Sequence, residues 1–128
     1  MKKEYMDIIT KRFPFEGDDL KRFLGIITIR NVPAGTILLR EGEIASILHL
    51  VIKGCLRTYF VKDTGAEVTS QFFIESQVVA SFESAVTRTP GNQYIEAIED
   101  STIAFIPMEE LEKLFMDSTT AIAGFNRF

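Results

Sequence analysis

Four glycines set the folding problem for this chain. Gly35, Gly42, Gly54 and Gly65 each fall between short runs that are apolar or alternating, and none of those runs is long enough for an ordinary helix. The runs are residues 26–32, 36–40, 47–52, 56–61 and 68–74. In 26–32, Thr28, Arg30 and Val32 alternate with Ile27, Ile29 and Asn31, a period of two that suits a strand. Residues 47–52 are almost continuously apolar, and 56–61 are rich in β-branched and aromatic side chains. Between the runs stand Pro33-Ala34-Gly35, Glu41-Gly42-Glu43, Lys53-Gly54 and Lys62-Asp63-Thr64-Gly65, the last a hairpin turn in which Gly65 supplies a positive φ. Short strands at roughly 8–12-residue intervals with glycine turns predict a sandwich or a barrel.

Helices are predicted only at the two ends. Tyr5, Ile8, Ile9 and Phe13 recur at helical spacing over residues 2–13, and Pro14 interrupts that helix. A second helix is expected from Asp18, with Asp18 or Asp19 as its cap, Leu20, Phe23 and Leu24 on one face, and Gly25 as its stop. After a last strand at 102–106, Pro107 is expected to open a third helix. Glu109, Glu110 and Glu112 favour the positive end of its dipole, and Leu111, Leu114 and Phe115 form its buried side. The organisation expected is one domain: helices at 1–25, strands at 26–107, and a C-terminal helical part at 108–128.

The stretch 79–100, VASFESAVTRTPGNQYIEAIED, departs from the strand rhythm. A strand ending at Val78-Val79 gives way to Ala80, Ser81, Phe82, Glu83 and Ser84. One basic residue follows, Arg88, then a Pro90-Gly91-Asn92 turn and a new strand from Tyr94 to Ile98. Strand, short turn, tight loop, strand describes a pocket-forming insertion in a sheet. The polar candidates there are Ser81, Glu83, Ser84, Asn92 and Gln93.

Bulk properties exclude several classes. At 128 residues the chain suits one domain with its own core. The charged N-terminus, Met1 to Asp7, lacks the apolar core of a signal peptide, and no apolar run approaches the roughly 20 residues of a membrane span, so a cytoplasmic protein without a membrane partner is expected. Cys55 is the single cysteine, which rules out an internal disulfide. A net charge of −4 and the lack of a Lys/Arg block make this chain a poor nucleic-acid binder by itself.

Four pieces, in order, resemble the effector domain of the Crp/Fnr-type transcription regulators, the cyclic nucleotide-binding fold. They are residues 32–43 (VPAGTILLREGE), 52–57 (IKGCLR), 63–65 (DTG) and 96–101 (EAIEDS). The resemblance spans roughly residues 20–118. It implies a mainly β fold with flanking helices, a double-stranded β-helix (jelly-roll) barrel. It also implies a pocket in which free amides and a helix dipole hold a phosphate, an arginine pairs with it and a glutamate accepts from the ribose. Aligning the 96–100 strand with the family puts Gly91 and Asn92 where Arg and Ser stand in such regulators. The family's Gly-Glu pair falls near Ala80-Ser81, with Glu83 about two positions late. The candidate ligand-binding set is therefore Ser81, Phe82, Glu83, Ser84, Arg88, Gly91, Asn92, Gln93 and Tyr94, in a pocket without the phosphate-pairing arginine. Arg88 reads more readily as a solvated surface charge than as a ligand contact, and Tyr94 more readily as core.

Other chemistries find no support. Jelly-roll metalloenzymes need clustered histidines, and this chain has only His49, inside an apolar strand, where it reads as a structural residue. Iron–sulfur clusters need several cysteines, and no nucleophile–base pair stands out. No catalytic or metal-ligating residues are assigned, and no cofactor; a cyclic nucleotide is allowed by the fold and not favoured by the residues. In the family a long helix makes the dimer and leads to the DNA reader. Residues 119–128, with Ile122, Phe125 and Phe128 on one side, read as the start of that helix, cut short. The expectation is thus an excised sensor domain with an unknown small-molecule effector, a homodimer in the full-length protein, meeting DNA only through a C-terminal domain absent from this chain. The alternative is a degenerate β-roll that acts as a dimerisation or protein-interaction module with no ligand.

Overall fold

The structure is a computed structural model and describes residues 1–79 and 90–117. The chain runs α1 (Lys3–Arg12), α2 (Gly17–Ile26), β1 (Thr28–Val32), β2 (Ile37–Leu39), β3 (Ile47–Lys53), β4 (Leu56–Val61), β5 (Glu67–Phe73), β6 (Val78–Val79), β7 (Tyr94–Ala97), β8 (Ser101–Pro107) and α3 (Met108–Asp117). The strands form two four-stranded sheets, in the orders β1-β8-β3-β6 and β2-β7-β4-β5, and every pair is antiparallel. The facing sheets are the sandwich expected from the glycine spacing and fit the jelly roll implied by the resemblance, without being joined by hydrogen bonds into a closed barrel.

The apolar run of β3 has its explanation in the first sheet. Alternate residues of a strand point to opposite faces. Leu48, Leu50 and Ile52 point outward into a core shared with Ile9, Phe13, Phe15, Phe23, Leu111 and Leu114 of the helical layer. Val51 points inward with Val32, Ile103, Ile95 and Ala97, into a second core between the sheets. A strand buried on both faces cannot alternate in polarity. β8 is in the same position, with Ala104 and Ile106 outward and Ile103 inward.

The helical layer is knitted by phenylalanines. Phe15 meets Phe23 edge to face at 4.8 Å, Phe13 lies 5.0 Å from Phe23, and Phe115 of α3 lies 5.9 Å from Phe15. The Arg22–Asp117 ion pair that also joins α2 to α3 is exposed and adds little.

Three expectations at element ends are corrected. Gly25 does not stop α2, which runs through it to Ile26; the turn into β1 comes at Ile27, whose backbone is extended. The cap position of α2 is Glu16, with no side-chain capping bond, so Asp18 and Asp19 sit in the first turn and act through the helix dipole. Pro107 does not open α3. It is the last residue of β8, and Met108 begins the helix, its N–H donating to the Ser46 carbonyl at 2.9 Å. The expected helix at 119–128 lies outside the described residues.

Candidate ligand site

Five of the nine candidate residues, Ser81, Phe82, Glu83, Ser84 and Arg88, lie outside the described residues. The four that are described do not share one environment. Gly91 is tied by its backbone to the turn after β2: the Gly42 N–H donates to its carbonyl at 3.0 Å, and its own N–H donates to the Glu43 carbonyl at 3.3 Å. Its amide is therefore engaged within the protein. Asn92 is exposed and Gln93 half-buried.

Tyr94 points away from the space between the sheets. In β7, Ile95 and Ala97 belong to the inner core, so Tyr94 and Glu96 lie on the opposite, outer face. The Tyr94 ring stacks on Tyr59, its cross-strand partner, at 4.9 Å and 7°.

That outer face has its own organising group, Arg57 of β4. Its Nε donates to Glu96 Oε1 at 2.8 Å, Nη2 to Glu67 Oε1 at 2.8 Å and Nη1 to Thr69 Oγ1 at 2.9 Å. The guanidinium lies 4.1 Å from the centre of the Tyr59 ring. The hydrogen bond to Glu67 first, then that to Glu96, holds the guanidinium above its ordinary value against the opposing effect of burial. Burial, then the Glu67 and Glu96 carboxylates, push the Tyr59 phenol up. One cation thus links β5, β4 and β7 and is fully used in doing so. Arg57→Gln is expected to lower stability by about 1–2 kcal/mol in urea denaturation, mostly through the half-buried Glu96 left without its partner. Arg57→Lys should recover only part of this, because an ammonium cannot make the three-way fork. A null effect in both would show that the network is idle.

Cys55 follows the Gly54 turn. Burial first, then the Glu99 carboxylate, raise its thiol above the ordinary value, the reverse of what an activated nucleophile needs. Among the described residues, no three His, Cys, Asp or Glu side chains converge as a metal site would require. Also among them, no helix is long and apolar enough to cross a membrane.

Sequence reasoning passed over the inner face of the first sheet. Register places Thr28, Phe105, His49 and Val79 in one row across β1, β8, β3 and β6. His49 is buried, 3% exposed, and meets Phe105 edge to face at 5.1 Å. Burial lowers its pKa from 6.5 to about 4, so the ring is neutral at pH 7. Its Nδ1 is buried and has no hydrogen-bond partner among the described residues. Arg30, paired in register with Ile103 on the same face, lies over the Phe105 ring at 5.7 Å. The alternation of Thr28, Arg30 and Val32 was a signal for this, since Val32 is inward.

The comparisons with known proteins agree with this architecture. The sequence pattern described as "Cyclic nucleotide-binding domain" matches residues 29–118. The chain is 31% identical over 85 residues to the transcriptional activator protein FnrA of Stutzerimonas stutzeri, an alignment covering 66% of this chain and 34% of FnrA. The fold matches DNR of Pseudomonas aeruginosa with a TM-score of 0.83 at 16% identity, over 99% of this chain and 57% of that chain. A Eubacterium rectale protein described as a Crp/Fnr-family regulator matches with a TM-score of 0.69 at 25% identity, over 91% of this chain and 56% of its own. This chain spans about a third of the length of FnrA. With two facing antiparallel sheets, a helical layer on one of them and a pattern match across most of its length, the chain belongs to the cyclic nucleotide-binding domain family and has Crp/Fnr-type regulators among its relatives.

Proposed function

We propose that this chain is the ligand-sensing part of a transcription regulator and that its pocket departs from the pattern that holds cyclic AMP. The observation that carries the reading is the position of Gly91. It stands where the phosphate-pairing arginine is expected, and its backbone is committed to the Gly42–Glu43 turn. The nearest described arginine in sequence, Arg57, is spent on Glu67 and Glu96. Gly91 itself offers a cyclic phosphodiester no guanidinium. The residues Ser81, Phe82, Glu83, Ser84, Arg88, Asn92 and Gln93 remain the proposed contacts on the 79–100 side.

The domain acts by binding and not by catalysis. Effector occupancy shifts the balance between two arrangements of the C-terminal helix, and through a homodimer that shift reaches a DNA-reading segment beyond this chain. The setting is the cytoplasm. The apolar filling between the sheets, with Val51, Ile95, Ala97 and Ile103 all buried, favours a second reading: a roll that keeps the fold and binds a protein partner instead of a small molecule.

Thermal melting with a metabolite panel tests both. A ligand at a hundred times its dissociation constant adds about 2.7 kcal/mol to stability. The expected result is no shift with cyclic AMP and a saturable shift with some other small molecule. A saturable shift with cyclic AMP defeats the proposed departure. Silence across the whole panel supports the protein-contact reading.

A further inference from the structure

The inner face of the first sheet holds three side chains in a row of contacts with graded character. Phe105 and His49 are register partners, and Arg30 lies diagonally, two residues along β1 from Thr28, the register partner of Phe105. Arg30 stands exposed on the edge strand β1, half-buried Phe105 comes next on β8, and buried His49 follows on β3. The contacts are continuous, 5.7 Å from the Arg30 guanidinium to the Phe105 ring and 5.1 Å from that ring to the imidazole. Two polar groups in this row are unspent. The Nδ1 of His49 is buried without a hydrogen-bond partner, and no carboxylate pairs with Arg30 among the described residues. Buried polar atoms in native proteins are almost always paired, and an orphan asks what pairs with it. The row ends at Val79, the last described residue before the 80–89 segment.

Resting on the ligand-sensing reading above, we infer that this row is the sheet-side wall of the effector site, and that the effector is a planar aromatic acid carrying a neutral hydroxyl or amino group. The neutral polar group meets His49 Nδ1, the ring packs against Phe105, and the anionic group pairs with Arg30 at the open edge. The assignment follows the order of the side chains. An imidazole that stays neutral takes an uncharged hydrogen-bonding group, whereas the guanidinium at the solvent edge takes the charge. Small-molecule sites commonly combine an apolar lining with a few polar groups of this kind.

The test uses the 128-residue chain and a panel of hydroxy- and aminobenzoates, with benzamide and cyclic AMP as comparators, read by calorimetry and by ring 15N NMR. His49 is the only histidine, so its ring signals need no assignment by mutation. The expected result is saturable binding of at least one substituted benzoate, a shift of the His49 Nδ1 signal on binding, and a loss of at least tenfold in affinity in both Arg30→Gln and His49→Phe. Weak or absent binding of benzamide is expected, because it lacks the charge. If His49→Phe fails to fold, the Nδ1 signal of the wild type decides. Binding of a benzoate with an unmoved Nδ1 signal and unchanged affinity in Arg30→Gln overturns the inference and leaves the sensing reading standing. No binding by any benzoate overturns it as well, while a saturable shift with another metabolite still supports sensing. No shift with any small molecule takes down both.

Discussion

Gly54→Ala should be among the most damaging single-methyl additions available to this domain, lowering stability by about 3–4 kcal/mol. Two independent costs meet there. The backbone of Gly54 lies at φ +105°, a region that costs a residue with a Cβ about 1–2 kcal/mol. The added Cβ also has nowhere to go: it overlaps Ser101 Oγ and comes within 2.6 Å of Ser101 Cβ and 2.8 Å of Ser101 Cα. Ser101 cannot step aside. Its hydroxyl donates to the Glu99 carbonyl at 2.8 Å and accepts from the Cys55 N–H at 3.2 Å, and its backbone pairs with Val32 in the sheet. Overpacking of this kind costs about 1–3 kcal/mol. Gly65→Ala is the control. Its φ of +87° carries the same backbone cost, but nothing lies within 4 Å of the added Cβ, so it should lose only about 1–2 kcal/mol. Urea denaturation of the two variants, and of Gly54→Ala combined with Ser101→Gly, separates the terms. Equal losses at Gly54 and Gly65 would refute the close-packing argument.

These glycines also show what the sequence made legible. Gly35, Gly42, Gly54 and Gly65 all take positive φ at strand reversals, as their spacing between apolar runs implied. Hydrophobic period located the strands to within a residue or two, because burial of one or both faces leaves a direct imprint on composition. Positions at element ends were less visible. Gly25 lies inside a helix and Pro107 inside a strand, where tertiary packing outweighs local preference.

The site was legible only in part, for a different reason. Alternation says which residues share a face but not which face is inside. In β7 both sets are plausible linings: Tyr94 and Glu96 on one side, Ile95 and Ala97 on the other. The partner strand decides the matter: β4 pairs with β7 in unbroken register, Leu56 opposite Ala97 and Tyr59 opposite Tyr94, and local sequence does not announce that pairing. Tyr94 therefore meets Tyr59 on the outer face, beside an Arg57 network assembled from three strands. The row formed by Arg30, Phe105 and His49 has the same origin. Each member sits on a different strand, far apart in sequence; register pairs Phe105 with His49, and Arg30 reaches the Phe105 ring diagonally from its own partner Ile103. His49 read as a structural strand residue because its neighbours are apolar, and it is buried as that reading implied. What a sequence cannot display is that its Nδ1 finds no hydrogen-bond partner among the described residues.

That buried imidazole makes the fold sensitive to mild acid. The pKa of His49 falls from 6.5 to about 4 because burial disfavours its charged form. The unfolded chain therefore binds a proton at a pH where the folded chain does not. With the folded pKa below the unfolded one, stability is undiminished above pH 6.5 and declines as the pH drops from 6.5 towards 4, where the decline from this group ends. The difference corresponds to about 3 kcal/mol in full at 1.36 kcal/mol per pH unit, and about 2 kcal/mol is already lost at pH 5. His49→Phe removes the titrating group and fills nearly the same space beside Phe105. The wild type is thus expected to lose about 2 kcal/mol more than His49→Phe between pH 7 and pH 5, measured by urea denaturation at both. At pH 7 the variant should be at least as stable as the wild type, because it also removes a buried acceptor whose unpaired state costs about 1–3 kcal/mol. Every other charged group is common to both proteins, so the difference isolates His49. Parallel losses in the two proteins would mean that the imidazole is wetter, or better partnered, than its burial indicates. A variant much less stable at pH 7 would mean that His49 makes a contact the fold depends on.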